Sequence, residues 1–121
     1  MSATLTPTLT LQSSDATTDT LSLSVTDSLT VVAPSIGISR ITLDTNTTDL
    51  VGTDSSSITY LYAKNTDSSQ TIVLQQTADG KDFADLSPEE FCFFPVKGTK
   101  GVRARSAAST AVLEYGYWTK A

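Results

Sequence analysis

Few side chains in this sequence suit acid–base, nucleophilic or metal chemistry. Histidine is absent, which removes the commonest general base near neutral pH, the commonest zinc ligand and every Ser-His-Asp or Cys-His arrangement. Cys92 is a candidate nucleophile, and the carboxylates Asp79, Asp82 and Asp85 are candidate Ca²⁺ ligands. However, Cys92 lies between two phenylalanines in an apolar strand, and Asp79-Gly80 is a common hairpin turn. We therefore expect a protein that is not an enzyme and that uses no catalytic residue, metal or cofactor.

The basic residues cluster in one short segment. Four of the eight lysines and arginines fall within nine positions, at Lys97, Lys100, Arg103 and Arg105. The two lysines flank a tight turn, and the two arginines share one face of the strand that follows. This pattern predicts a basic patch that docks on an acidic partner. The alternative is a set of solvated charges at the ends of strands.

Aromatic side chains are concentrated late in the chain. Phe91 and Phe93 project to one face of a strand and Phe94 to the other, and further aromatics close the chain at 115–118. Apolar residues on both faces indicate a strand that is covered twice. We assign Phe94 to contact with a neighbouring copy of the chain, and packing in the protein's own core is the alternative.

Alternation of apolar and polar residues, which is typical of β-strands, runs through most of the chain. About eight short segments show it, at spacings of roughly 8–12 residues. The pattern predicts an all-β fold, namely a single antiparallel β-sandwich (jelly-roll-like) over residues 13–121 with an extended N-terminal arm. Turn-forming residues predict loops at 44–49 and 78–82, and a capping-box pattern predicts one helical turn at 86–91.

The predicted arm comprises residues 1–12. Period-two spacing places Leu5, Leu9 and Leu11 on one face of an extended segment. Pro7 lacks an amide donor, so this segment is an edge strand or a free arm and not a central strand. We expect the three leucines to contact a neighbouring subunit, where the arm adds a strand to a sheet edge.

Charge and composition argue against two classes of partner. The net charge is −5 and the sequence pI is about 4.4, so the chain repels phosphate backbones and we expect no nucleic-acid partner. No apolar run approaches the roughly 20 residues of a membrane-spanning helix, so we expect no membrane contact. The single cysteine, Cys92, permits no intrachain disulfide and fits synthesis in a reducing compartment.

The stretch from Ile36 to Trp118 resembles a group of small virion proteins of tailed bacterial viruses. Three segments carry the resemblance: YLYAKNTDSSQTIVLQQTADG, LSPEEFCFFPVKGTKGVRARSA and the closing VLEYGYW. They match a Tyr-x-Lys-Asn-like strand, a Glu-Phe-x-x-Phe-Pro strand followed by a Gly-bounded basic turn, and a last strand that ends in aromatics. This is a pattern of β-sandwich strands and not a catalytic motif, and it covers about two-thirds of the chain.

The resemblance implies a viral structural protein without site residues of its own to carry over. Because the chain is small and folds as one domain, we expect a capsid decoration (cement) protein on the outer capsid surface of the virion, made in the bacterial host cytoplasm. Its partners would be the major capsid protein and further copies of itself, as a homotrimer. The alternatives are a tail or neck component of the same virion and a carbohydrate-binding β-sandwich.

Overall fold

The computed structural model describes residues 2–32, 38–53 and 58–121 of the chain. Met1, at the start of the predicted arm, and Ile36, where the family resemblance begins, lie outside the described residues. Within the described ranges the structure contains twelve β-strands and no helix, and hence no helix that could cross a membrane. The strands are β1 Ser2–Leu5, β2 Thr8–Ser13, β3 Leu21–Thr26, β4 Leu29–Val32, β5 Ser39–Leu43, β6 Thr48–Val51, β7 Thr59–Asn65, β8 Ile72–Gln75, β9 Asp82–Leu86, β10 Phe91–Val96, β11 Val102–Ser106 and β12 Ala111–Thr119.

The chain divides into two compact units, Met1–Pro34 with Ala121 and Ser35–Lys120. The predicted boundary between residues 12 and 13 is therefore misplaced. The physical reason is backbone pairing: β1 pairs with β4 and β2 with β3, so the strands of the predicted arm are hydrogen-bonded to strands that lie beyond its predicted boundary. The predicted arm is one side of a two-stranded antiparallel ribbon and not a free extended segment.

The ribbon of the first unit is interrupted once along its length. Pro7 has no N–H to give to the ladder, and the break between β1 and β2 falls beside it. The opposite strand breaks at the same level, where Asp27 N–H donates to the carbonyl of Pro7 at 3.1 Å. At the far end, residues 14–20, which are mostly Ser, Thr and Asp, connect β2 to β3.

The eight strands of the second unit pair like a long hairpin that has been folded over. β5 pairs with β12, β6 with β11, β7 with β10 and β8 with β9, each antiparallel. Two further ladders, β7–β12 and β8–β11, join these pairs into sheets with the orders β10-β7-β12-β5 and β6-β11-β8-β9. Eight strands in two antiparallel sheets with this nested pairing form a jelly roll. The predicted all-β, jelly-roll-like sandwich is thus confirmed.

The hydrophobic core of the second unit lies between its two sheets. Leu61 and Leu113 from one sheet pack in a single cluster with Ile72, Leu74 and Val102 from the other, and all five are nearly or fully buried. Burying a side chain of this size contributes roughly 1.5–3 kcal/mol. Along β11 burial alternates residue by residue, which is why period-two sequence patterns predict these strands.

Two strands lie where the sequence predicts loops or a helical turn. β6 extends from the predicted loop at 44–49, because Leu50 and Val51 are buried once the segment pairs with β11. β9 follows the predicted turn at 78–82 and reaches the start of the predicted helix. β9 carries a β-bulge. Ala84 pairs with Leu74 of β8 and Asp82 pairs with Gln75, so Phe83 is an extra residue that has no partner in the ladder.

Residues 87–90 form a β-turn where the sequence predicts a helical turn. Glu90 N–H donates to the carbonyl of Ser87 at 3.0 Å, and Glu89 has a φ of 70°. Since Pro88 fixes a negative φ at the preceding position, the positive φ that follows defines a type II turn. The capping-box contact does form, from Ser87 N–H to Glu90 Oε1 at 2.7 Å, but it closes a turn between two strands.

Candidate functional site

The outer face of the β10-β7-β12-β5 sheet carries a group of aromatic side chains. Because alternate residues of a strand point to opposite faces, Phe91 and Phe93 of β10 point away from the core, and they are 63% and 37% exposed. Tyr62 of β7 pairs with Phe93 across the ladder, and Trp118 of β12 lies beyond it on the same face; both are partly exposed. We call Phe91, Phe93, Tyr62 and Trp118 the aromatic face.

Neighbouring side chains hold the rings of the aromatic face in place. Phe93 stacks on the buried Tyr60, with ring centroids 6.2 Å apart and planes at 15°, and its ring lies 6.5 Å from that of Trp118. Gly116 leaves room beside Trp118, since a Cβ there would lie 2.7 Å from Cδ1 of Ile38 and 3.4 Å from Cη2 of Trp118. The rings are therefore ordered before any partner binds, which lowers the entropic cost of binding.

A hydrogen-bonded polar cluster adjoins the aromatic face. Tyr62 donates its hydroxyl to Oε1 of Glu114 at 2.8 Å, and Arg40 Nε donates to Oε2 at 3.0 Å. The hydrogen bond from Tyr62, followed by that from Arg40, holds the pKa of Glu114 below its usual value. Burial, together with the same carboxylate, raises the pKa of Tyr62 to about 12. Glu114 is therefore an anion and Tyr62 a neutral donor at physiological pH.

Backbone hydrogen bonds anchor the 87–90 turn, which directly precedes Phe91 of the aromatic face. Asn65 N–H donates to the carbonyl of Glu90, and Glu89 N–H donates to the carbonyl of Asn65, both at 2.9 Å. Lys64 Nζ lies 4.0 Å from Oε2 of Glu89 in an exposed ion pair. These contacts tie the type II turn to the end of β7, so that Phe91 follows directly from an anchored turn.

The predicted basic patch is divided by its internal partners. Lys97 and Lys100 do flank the turn between β10 and β11, and Lys100 N–H donates to the carbonyl of Lys97 at 2.9 Å. Lys97 is exposed. Lys100 Nζ instead makes an ion pair of 2.8 Å with Asp79, and this lysine holds the pKa of Asp79 below its usual value.

The two arginines of the patch also bind acceptors within the chain. Arg103 and Arg105 share one face of β11, as predicted, and it is the more exposed face of that strand. Arg103 Nε donates to Oε1 of Gln75 at 2.9 Å, and Arg105 lies 3.5 Å from Oδ2 of Asp82. Gln75 Nε2 in turn donates to Oδ1 of Asp82 at 2.6 Å. Whether this patch docks on a partner stays a prediction, with Lys97 as its most accessible charge.

Two of the three carboxylates considered as calcium ligands, Asp79 and Asp82, are used in these pairs. Asp79 binds Lys100, and Asp82 binds Arg105 and Gln75. Over the described residues, no three or more Asp, Glu or Cys side chains come close enough together to hold a metal ion. Asp79 and Asp82 are thus paired with basic or amide side chains of their own chain.

The inner face of β10 decides the role of Phe94. Three partly buried aromatics pack against the core cluster, namely Phe94, Tyr115 and Tyr117. The assignment of Phe94 to an intersubunit contact is therefore corrected, because its main contacts lie within its own chain. The ring of Phe94 meets that of Phe83 edge-on, with centroids 5.9 Å apart. Cys92 lies on the same inner face, and burial raises the pKa of its thiol to about 11, which leaves little thiolate for nucleophilic attack.

The leucines of the predicted arm pair within their own chain. Leu5 faces Leu29, Leu9 faces Val25, and Leu11 faces Leu23 across the ribbon. Leu9 and Leu11 are exposed and Leu5 is partly buried. One edge of each strand in this segment is thus paired within the chain itself, whereas the side-chain surface of Leu9 and Leu11 stays accessible.

Sequence reasoning placed Phe91 and Phe93 on one face of a strand but did not assign them, or Tyr62, to a binding site. Alternation alone places Phe91 and Phe93 together. Nothing in the sequence brings Trp118 beside them, because the β7–β12 ladder pairs it with Tyr60, which lies 58 residues earlier in the chain. The ion pair of Arg40 with Glu114 is likewise invisible until β5 and β12 are paired.

Comparison of the chain with protein-family models, with curated proteins and with solved structures gives no match.

Proposed function

We propose that this chain is a viral structural protein, a capsid decoration (cement) protein that binds the major capsid protein on the outer surface of a tailed-phage virion. The observation that carries the proposal is the aromatic face, an exposed and pre-ordered apolar surface on a rigid sandwich. Aromatic residues and arginine dominate the binding energy of protein interfaces, and Arg40 borders this face. The partner class comes from the resemblance to small virion proteins.

In this proposal the protein is not an enzyme and acts by binding alone. A contact that exists only in the assembled shell stabilises the shell by mass action. Phe91 and Phe93 supply apolar area, while Arg40 and Glu114 supply directional hydrogen bonds at the edge of the contact. A homotrimer strengthens attachment, because the second and third engagements of one complex become intramolecular.

Quantitative mass spectrometry of purified virions tests the proposal. A decoration protein is present in a copy number comparable to that of the major capsid protein. A tail or neck component, the first alternative, is present in a small fixed number per particle. Absence of the chain from purified particles would contradict both versions of a virion role.

A matched pair of variants tests the surface. Phe91→Ser removes the most exposed ring of the aromatic face, and Phe83→Ser removes a ring that is 44% exposed but belongs to β9 of the other sheet. We expect Phe91→Ser to weaken binding to undecorated capsids by about tenfold or more, an amount typical of a hot-spot residue. Equal binding of the two variants would remove the aromatic face from the proposal.

A carbohydrate-binding β-sandwich is the second candidate function, and one observation favours it. Phe93 stacks nearly parallel on the buried Tyr60 and lies beside the partly exposed Trp118. Exposed rings such as those of Phe93 and Trp118 provide a flat apolar surface on which a sugar ring can stack. A glycan array read with the wild-type chain and with Phe91→Ser separates the two functions. If the wild-type chain binds a glycan and Phe91→Ser does not, the result favours carbohydrate binding over capsid decoration.

A further inference from the structure

The turn between β8 and β9 contains the only Asp-Gly sequence of the chain, Asp79-Gly80. Asp-Gly is the least stable aspartyl link in proteins, because glycine has no side chain to keep its amide nitrogen away from the neighbouring carboxyl group. The nitrogen attacks that carboxyl group, water leaves, and a five-membered succinimide ring forms. Water then opens the ring at either carbonyl, which gives aspartate or isoaspartate. In isoaspartate the main chain runs through the side-chain carboxyl carbon and is one atom longer.

The conformation of the turn requires the glycine. Gly80 has a φ of 66°, in the left-handed region that L side chains rarely adopt. A Cβ at this position would also lie 2.7 Å from Nη2 of Arg103. Asp79 in turn is the ion-pair partner of Lys100. The labile sequence therefore follows from two separate demands of the fold, one on the backbone of residue 80 and one on the side chain of residue 79.

The nitrogen of Gly80 is held in a main-chain hydrogen bond. Gly80 N–H donates to the carbonyl of Gln76 at 2.8 Å, and Gln76 N–H donates to the carbonyl of Lys81 at 3.0 Å across the same turn. The nitrogen must lose its proton to bond to the carboxyl carbon. A hydrogen-bonded amide gives up its proton only when the local structure opens, as in hydrogen exchange. The closed turn therefore withholds the nucleophile.

The carboxyl group of Asp79 is held as well. Its Oδ2 accepts from Nζ of Lys100 at 2.8 Å, and Ala78 N–H donates to the carbonyl of Lys100 at 2.9 Å, so both side-chain and main-chain contacts join this turn to the 97–100 turn. Ring closure proceeds from the neutral acid, because a carboxylate releases its oxygen far less readily. The hydrogen bond from Lys100, together with the charges of Lys100 and Lys81, holds the pKa of Asp79 below its usual value. Lys100 therefore keeps the electrophile in its unreactive, anionic form.

We propose that Asp79-Gly80 is a site of spontaneous isoaspartate formation that the folded turn protects, and that Lys100 provides part of this protection. In the suppressed step a bond forms between the Gly80 nitrogen and Cγ of Asp79. The bond from Cγ to one carboxyl oxygen breaks, and that oxygen leaves as water with the amide proton. The extra main-chain atom of the product falls between Gln75 and Asp82, which pair across the β8–β9 ladder, so modification should loosen the edge strand β9. This inference does not depend on the proposed function.

Isoaspartate is measured in the purified full chain during prolonged warming at mildly acidic pH. Trypsin releases the peptide 65–81, and mass spectrometry with electron-transfer fragmentation distinguishes aspartate from isoaspartate within it. The same peptide contains a second aspartate, Asp67, as an internal reference. Two variants are compared with the wild type, Lys100→Gln and Lys97→Gln. Each removes one positive charge from the same turn, but of the two lysines only Lys100 is paired with Asp79.

We expect isoaspartate to form at residue 79 about tenfold or more faster in urea than in the folded chain, since unfolding removes both contacts. In the folded state Lys100→Gln should react about two- to fivefold faster than the wild type, the range set by a partly exposed ion pair. Lys97→Gln should match the wild type. Equal rates in urea and in buffer, or a rate for Lys100→Gln no higher than that for Lys97→Gln, would overturn the proposal.

Salt gives a second test that needs no variant. Because salt screens a partly exposed ion pair, the rate at Asp79 in the wild type should rise with ionic strength. The rate at Asp67 should not, since its carboxylate accepts from the amides of Ser69 and Gln70 instead. A wild-type rate at Asp79 that salt leaves unchanged would overturn the role of Lys100, whether or not the Lys100→Gln variant folds.

Discussion

Asn65 should be the most sensitive polar residue of the sandwich. Its side chain is fully buried at the end of β7 and makes three hydrogen bonds with main-chain atoms. Nδ2 donates to the carbonyls of Gln70 at 2.7 Å and Leu86 at 2.9 Å, and Oδ1 accepts from Asp67 N–H at 2.9 Å. The same side chain therefore holds the β7–β8 turn and the end of β9, next to the turn that leads into Phe91.

Replacing Asn65 by alanine should destabilise the fold strongly. Each hydrogen bond contributes about 1 kcal/mol net, and a buried carbonyl left without a donor costs about 1–3 kcal/mol more. We therefore expect a loss of about 4–6 kcal/mol in the free energy of unfolding, a large part of the roughly 5–15 kcal/mol available to a domain. The backbone bonds of Asn65 to the 87–90 turn persist in the variant, so the loss reports the side chain.

Urea unfolding, followed by circular dichroism and by the fluorescence of the single tryptophan, Trp118, measures this loss. The chain contains one other asparagine, Asn46, which is exposed and provides a matched control. Asn46→Ala should change the free energy of unfolding by less than about 0.5 kcal/mol. If Asn65→Ala costs less than about 1 kcal/mol, the three hydrogen bonds do not stabilise this corner of the sandwich and our reasoning is wrong.

For three further substitutions the structure predicts whether stability rises or falls. Ser106→Ala should raise the free energy of unfolding by about 1 kcal/mol, since Ser106 is fully buried and its hydroxyl has no hydrogen-bond partner among the described residues; a lower melting temperature would contradict this. Glu89→Gly should raise the melting temperature, because φ at Glu89 is 70°, a left-handed conformation that costs a residue with a Cβ about 1 kcal/mol; an unchanged or lower value would show that the turn is not strained. The pKa of Glu114 is lowered in the folded chain by Tyr62 and Arg40, so its stabilisation is present above the ordinary glutamate pKa of 4.5 and is lost as the pH falls through the lower folded value. Acid titration of stability should therefore be less steep in Glu114→Gln than in the wild type, and superimposable curves would exclude that coupling.

The order of the eight sandwich strands gives the aromatic face its composition. β7 lies between β10 and β12, so the outward residues of all three strands meet on one surface although they come from segments at 60–64, 91–95 and 112–118. The core side of the same strands contains Phe94, Tyr115 and Tyr117. A shift of one residue in either ladder would exchange these two sets, which is why burial of the inner face fixes the register.

Local patterns in the sequence were sufficient to predict most of the strands and the fold class. Period-two alternation predicts β2, β3, β7, β10, β11 and β12, because a strand with one buried face must alternate. The same alternation shows that Phe91 and Phe93 lie opposite Phe94. It also predicts the apolar face of Leu5, Leu9 and Leu11, although not the strand that pairs with them.

Only the tertiary structure decided which of two faces is covered and which charges are paired. Phe94 is as apolar as Phe93, and its place in the core follows from the sheet that packs on it. Arg105 and Asp82 are separated by 23 residues in the sequence. They meet because β11 and β9 both pair with β8, so that the side chain of Arg105 reaches Asp82 across that strand. β6 and β9 become strands because buried neighbours supply ladders that their turn-forming residues do not predict. Contacts between distant segments depend on the pairing of whole strands, and a local pattern of side chains does not encode that pairing.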